Sequence, residues 1–242
     1  MDMSISLDGN NTFNIRIAAV CSYNDFYVVD DSNNGYVFHV GGKLKYNETI
    51  YEAITREISE ELGIITKPTL VGFYESFFLD GETNIHEHLF LFTVYISNYS
   101  RKNKDSNINL IKKNAIHNYL VYPKNWERAL EQNEEVYINT TVEKQMYMDR
   151  NIEFIMSEHD STEQKYKFII SVLICKGEKS SISGVLHFGE TLNEGLIRIV
   201  HEKFNCTIKR SFFGGFGEDF FTFENNKQIR FLSAAFAVEL NE

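Results

Sequence analysis

The sequence predicts an α/β protein of two domains, each a mixed sheet flanked by helices. Three observations lead there. Residues 50–62 read as one amphipathic helix set between runs that alternate apolar and polar residues as strands do. Residues 164–240 repeat strand, helix and strand in the same order as the first half, in weaker form. A chain of 242 residues with 43% hydrophobic content allows one or two domains with a sizeable core, and the repeat favours two.

The helix is legible in its ends and its faces. Thr49 with Glu52 three residues on has the form of a capping box, and Gly63 stands where a helix stops in a left-handed turn. Ile50, Ile54, Ile58 and Leu62 follow at i+4 and make a stripe that packs on a sheet. Glu57, Glu60 and Glu61 share another side at spacings i, i+3 and i+4. Like charges so placed cost a helix about 0.3 kcal/mol, which a divalent cation removes. Hard oxygen ligands of this kind suit magnesium or manganese, which take a few carboxylates together with substrate phosphate oxygens. An isolated E-x-x-E-E reads better as a solvated acidic face; here the wider spacing decides.

That spacing is Gly42, five residues, Glu48, seven residues, then Arg56-Glu57-Ile58-Ser59-Glu60-Glu61-Leu62-Gly63-Ile64. It meets every fixed position of G-x5-E-x7-R-E-U-x-E-E-x-G-U, with U aliphatic, and closely resembles the Nudix hydrolase family. The resemblance implies Nudix-type α/β/α sandwich domains. It also implies a hydrolase that cleaves the pyrophosphate bond of a nucleoside diphosphate linked to another moiety, with magnesium or manganese as cofactor. In that reading Glu57, Glu60 and Glu61, with the carbonyl of Gly41 or Gly42, hold the metal, and Glu48 either joins the metal shell or holds the loop. Glu60 orients or deprotonates the attacking water, and Glu75 or Glu87, outside the box, is the second choice. Arg56 fixes the glutamates by a forked hydrogen bond, and Lys43 is a substrate contact. Val40 stands where many members carry proline, and Lys45 and Asn47 replace a frequent acid and glycine, which bears on the loop's shape rather than its chemistry.

Composition narrows the alternatives. A net charge of -10 gives no basic footprint for a nucleic-acid backbone. RNA 5′-end or cap hydrolysis therefore rests on one local patch, Arg101, Lys102, Lys104, Lys112 and Lys113. A nucleotide-binding sensor or structural module without turnover is the rival from another class. The acidic, polar N-terminus is neither a secretory signal nor a transit peptide, and the apolar runs are of strand length, so no membrane span is expected. Three cysteines with no metal-type spacing suggest a reducing, cytoplasmic setting. The family's sequence marks for ADP-ribose, diadenosine polyphosphate and NADH cleavage are absent, so the leaving group stays open. Phe73, Tyr74, Phe77 and Phe78 are candidates for stacking a base, or else core.

Taken in order, residues 13–22 and 26–31 read as strands, followed by a turn at Asn33-Asn34-Gly35 and a strand at Tyr36–Val40. After the helix, strands are expected at Thr69–Phe78 and His88–Ser97 about a turn at Asp80-Gly81. His86 and His88 should face one side and Glu87 the other; a His-x-His pair binds zinc only with a third ligand, and no nitrogen or sulfur one lies near. Residues 98–114 read as an exposed connection, and Pro123–Leu130 as a helix with proline early. Domains are expected at 1–150, catalytic, and 160–242, degenerate. In the second, Val185–Gly189 echoes Val37–Gly41 and Glu190–Arg198 echoes Glu48–Arg56, with the loop of Gly42–Asn47 missing. Glu57, Glu61 and Gly63 become Ile199, Lys203 and Asn205, while Arg198, Glu202 and Glu190 persist. One carboxylate beside a lysine does not hold magnesium as three do, so this domain is expected to be silent. Its role would be a packing partner, a cleft wall or a surface for a homodimer or internal pseudo-dimer.

Overall fold

A computed structural model of the chain describes residues 2–6, 10–32, 35–99, 107–131, 136–142, 164–175, 180–222 and 228–241. The first strands are β1 (Ser4–Ser6), β2 (Asn11–Tyr23), β3 (Phe26–Asp31) and β4 (Tyr36–Lys43). Helix α1 (Ile50–Leu62), the hairpin strands β5 (Thr69–Asp80) and β6 (Thr83–Tyr95), and β7 (Ile108–Lys112) follow. A short 3-10 turn (Lys113–Asn118), β8 (Leu120–Tyr122), α2 (Trp126–Glu131) and β9 (Tyr137–Val142) complete the first half. The second half holds β10 (Gln164–Ile174), β11 (Ser180–Val185), α3 (Leu192–Phe204), β12 (Ile208–Thr222) and β13 (Gln228–Leu240).

Contacts divide the chain into two units. The first takes residues 1–4, 14–76 and 87–142; the second takes 5–13, 77–86 and 143–242. The larger sheet runs β7-β3-β4-β2-β6-β5-β9, with β1 on β2 and β8 on β4. β2 is buried on both faces from Ala18 to Cys21, as a central strand covered on both sides must be. In the first unit Ala18, Val20, Val29, Val37, Tyr74 and Trp126 belong to one core cluster. No helix among the described residues is long and apolar enough to cross a membrane.

Helix α1 begins and ends as its sequence requires. The Thr49 side chain accepts from the Glu52 N–H while Glu52 reaches back to the Thr49 N–H, and Gly63 closes the helix at φ 68°. Ile50, Ala53, Ile54, Ile58 and Leu62 are buried, and of the three glutamates only Glu60 is largely exposed.

Three expectations need correction. Residues 98–114 are not all connection: β7 pairs antiparallel with β3, and Ile108 and Ile111 are buried at its two ends. Ile108, Leu110 and Ile111 follow neither strand nor helix period in a polar stretch, so no strand signal is present there. Pro123 lies ahead of α2 rather than in its first turn, and Trp126, its first residue, is buried against the sheet core. Lys112 and Lys113 of the basic patch lie in this region, with Lys113 5.6 Å from the Tyr27 ring centroid; Arg101, Lys102 and Lys104 lie outside the described residues.

The third correction concerns the second unit. Its sheet order, β11-β10-β13-β12, uses strands in the same chain roles as β4-β2-β6-β5 of the first sheet. β11 pairs antiparallel with β10 as β4 does with β2. The loop before its helix is not missing. Arg198 Nη2 donates to the Val185 carbonyl where Arg56 Nη2 donates to that of Lys43, so Gly184 stands against Gly42 at one unbroken offset. Leu186 and Phe188 are buried where Leu44 and Tyr46 are buried. The Leu186 N–H donates to Phe168 O as the Leu44 N–H donates to Ile15 O. The echo of Val185–Gly189 with Val37–Gly41 was a coincidence of two short apolar runs.

Candidate active site

Arg56 organises the face of α1 that looks toward the end of β4. Its Nε and Nη2 donate to the two oxygens of Glu48 at 2.8 and 2.6 Å, and its Nη1 donates to Glu57 Oε1 at 2.6 Å. A longer contact, 3.3 Å, reaches Glu60 Oε2. Glu48 is held from its other side by the Lys45 N–H at 2.8 Å. Burial works to raise the Glu48 carboxyl, but the Arg56 fork and the Lys45 N–H outweigh it and hold the group below its ordinary value. The Glu48 hydrogen bond, then that of Glu57, keeps the guanidinium more firmly protonated. One arginine thereby fixes a loop residue and a helix residue of the box at once.

Gly41 and Gly42, the first residue of the box, sit in β4, not beyond it. Gly41 pairs with Ala18 and Gly42 with Ile17 on β2. A Cβ on Gly41 would strike the Ile17 carbonyl and come 2.7 Å from Ala18 Cα. A Cβ on Gly42 would land on Glu57 Oε1. The second glycine therefore lets the Glu57 carboxylate lie against the strand. Gly42→Ala should push that carboxylate aside and lower turnover by about 10²-fold at unchanged helix content, as kinetics beside circular dichroism would show.

Glu61 differs from its neighbours. Its Oε2 is buried and has no hydrogen-bond partner among the described residues. Burial first, then the charges of Glu57, Asp30 and Glu60, push its carboxyl up to about 8. A buried acceptor with no donor, facing three further carboxylates, is the environment that a divalent cation satisfies. The donor set is all oxygen, which fits magnesium or manganese. Glu60 is largely exposed, with 57% of its side chain open to solvent.

This has a pH consequence. With its folded pKa near 8 and an ordinary value of 4.5, Glu61 binds its proton more tightly in the folded chain than in the unfolded one. Its stabilising contribution is complete below pH 4.5 and is lost as pH rises to 8. The metal-free protein should thus lose melting temperature across that window relative to Glu61→Gln. Added magnesium should restore it and release protons on binding, measurable by calorimetry in two buffers.

Outside the box, the two second-choice glutamates part company. Glu75 is 1% exposed; its Oε2 accepts from the Thr140 hydroxyl at 2.8 Å, and its Oε1 lies 3.5 Å from His88 Nε2. Glu87 is only part-buried. Burial holds its carboxyl above the ordinary value, and Arg16 and Lys43 oppose that rise without cancelling it. Arg16 is the cross-strand partner of Lys43, whose carbonyl takes the Arg56 contact, so Glu87 is electrostatically tied to the box end of β4.

The histidines of β6 do face inward together, and both are fully buried. Burial holds His88 down to about 3, so it is neutral. His86 Nδ1 accepts from the Gly189 N–H at 3.2 Å, which places the ring proton on Nε2 and leaves the neutral ring no free lone pair for zinc. Phe73, Tyr74 and Phe77 are buried at 0, 1 and 3% exposure, so they are core rather than a stacking surface. Phe73 packs on Phe90 and Phe77 on the His86 ring.

Sequence reading missed two features. Asp30 reaches Glu61 electrostatically from β3, and lies opposite Phe38 of β4. Phe38 belongs with Tyr36 and Tyr122 to a part-buried cluster of three rings, 5.3 to 6.0 Å apart between centroids. Phe38 alternates along β4 onto the same face as Gly42, a signal present in the strand's period once the strand is known.

The family model for the NUDIX domain matches residues 16–135. Through these residues the chain carries a domain of the Nudix family. By that membership it is a pyrophosphohydrolase of the Nudix type, a family that generally uses a divalent metal and acts on nucleotide-linked substrates. No curated protein matches the sequence. Among solved structures, a MutT protein from Bacillus halodurans is similar at 19% identity and TM-score 0.43, covering 53% of this chain and 90% of its own. A Nudix hydrolase from Nitrosomonas europaea is similar at 22% identity and TM-score 0.38, covering 49% and 86%. An ADP-ribose pyrophosphatase from Streptococcus suis shares 13% identity at TM-score 0.36, covering 52% and 98%.

Proposed function

We propose that the first unit hydrolyses the diphosphate bond of a nucleoside diphosphate linked to another group, at the α1 face beside Gly42. The observation that carries this reading is the buried, unpartnered oxygen of Glu61 among Glu57, Glu60 and Asp30. Binding a nucleotide alone does not require so costly an arrangement of charge. Glu57, Glu60 and Glu61 would hold magnesium or manganese, with Glu48 serving the frame through Arg56 rather than the metal. The bound cation supplies charge neutralisation for the diphosphate and a lowered pKa for the attacking water.

The chain's own groups do the rest. Arg56 keeps Glu57 in place and prevents the carboxylates from splaying apart. Glu60, open to solvent, takes the proton from water and passes it to bulk; Glu87, tied to Lys43, is the second acceptor. Lys43 at the mouth of β4 offers a cation to the substrate's phosphates. Tyr36, Phe38 and Tyr122 offer faces for stacking a base, with the Lys124 ammonium 5.6 Å from the Tyr122 ring centroid.

Three unpaired cysteines support a reducing, cytoplasmic setting. A homodimer is read from the mass in solution, where a 28.2 kDa species alone would remove it. The deciding experiment is product analysis with magnesium across ADP-ribose, NADH, dinucleoside polyphosphates, nucleotide sugars, nucleoside triphosphates and capped RNA. Metal-dependent cleavage of one class supports the reading and names the substrate. Silence, with one compound raising the melting temperature, would replace it with a nucleotide-binding module.

A further inference from the structure

The second unit keeps the frame of the first box without its charge. Thr191 and Glu194 form a capping box, Asn205 closes α3 in the left-handed region, and Arg198 grips Glu190 through Nε and Nη2 at 2.7 and 2.9 Å. The His187 N–H donates to Glu190 Oε2 as the Lys45 N–H does to Glu48. At the unbroken offset, Ile199 takes the place of Glu57, and a Cβ on Gly184 would meet Ile199 where one on Gly42 would meet Glu57. Lys203 takes the place of Glu61, and Glu202 that of Glu60.

The consequence is a groove between β11 and α3 of about 300 Å³, lined by Ser181, Ser183, Arg198, Ile199, Glu202 and Lys203. Three features set it apart from the first site. The carboxylate that Nη1 of Arg56 binds has no equivalent here, so Nη1 of Arg198 keeps only a 3.4 Å contact to Glu202, itself 61% exposed. An exposed ammonium, Lys203, stands where the first box has its buried carboxylate, and it makes no ion pair among the described residues. And among the described residues β11 is the outer strand of its sheet, whereas β4 has strands on both sides. An outer strand presents unpaired N–H and C=O groups, and the N–H groups can donate to a bound anion.

We infer that the β11–α3 groove of the second unit binds the diphosphate group of a small ligand without any divalent cation, Lys203 and Arg198 supplying the positive charge. The ammonium does at this site what a metal does at a carboxylate site: it meets the phosphate oxygens as a point charge. Glu202, 61% exposed, meets Arg198 at 3.4 Å on the solvent side. Ile182 and Ile199 add no charge to the lining, in which Arg198 and Lys203 face one carboxylate, Glu202. The groove is thus a binding site and not a second catalytic centre, because it holds no metal-ligating set.

The test is isothermal titration of inorganic pyrophosphate, with ADP in a parallel arm, into the intact chain in EDTA. Saturable binding is expected, weakened about tenfold or more in Lys203→Glu and changed less than about twofold in Glu61→Gln. Lys203 is exposed, so its replacement leaves the fold intact. Binding of both probes supports a nucleoside diphosphate as the ligand, and binding of pyrophosphate alone supports the free anion. Three results would overturn the inference: no saturable binding of pyrophosphate in EDTA, binding by Lys203→Glu equal to wild type, or loss of binding in Glu61→Gln. None of these outcomes depends on whether the first unit turns over.

Discussion

Glu61→Gln is expected to lower turnover by about 10³-fold while raising the melting temperature of the metal-free protein at pH 8. Both effects have one cause. Burial and the charges of Glu57, Asp30 and Glu60 make the ionised Glu61 unfavourable until a cation joins it. Glutamine keeps the shape and removes the charge, so the apo fold is relieved and the cation loses a ligand. Differential scanning with and without magnesium should show the metal-induced shift of wild type shrink in the variant. A variant that keeps its full magnesium shift, or turns over normally, would show that Glu61 is not a ligand.

Arg56→Ala should be the more disruptive change. It leaves Glu48 and Glu57, each 13% exposed at the side chain, without the cation that both accept from. Loss of about 2 kcal/mol of stability and about 10²-fold in turnover is expected, the first from denaturant midpoints and the second from steady-state kinetics. Arg56→Lys restores a charge but not the fork, and should recover stability better than turnover. If the alanine variant lost stability alone, Arg56 would be a brace for the loop without a part in positioning Glu57.

The helix of the box is legible because its constraints are local. Thr49, Glu52, Gly63 and the Ile50–Leu62 stripe state a helix within a few residues of each other, and the structure places it at those bounds. What stayed hidden depends on residues distant in sequence. Asp30 meets Glu61 only through the β3–β4 pairing, and Tyr122 meets Phe38 only through the parallel β4–β8 pairing. Phe73 and Phe77 look like stacking candidates in a strand with aromatic residues on both faces, yet burial claims them for the core. Likewise, two short apolar runs in the second unit suggest a register that the hydrogen bond from Arg198 to Val185 excludes. Longer-range information of that kind is absent from any window of the chain.

The most direct test of the account is hydrolysis of the best panel substrate with magnesium in water enriched in oxygen-18, followed by mass spectrometry of the products. The account predicts one labelled oxygen per turnover in one of the two phosphate-bearing products, and none formed by Glu61→Gln. Product without label, or equal product from Glu61→Gln, would contradict water attack at the Glu57–Glu61 site.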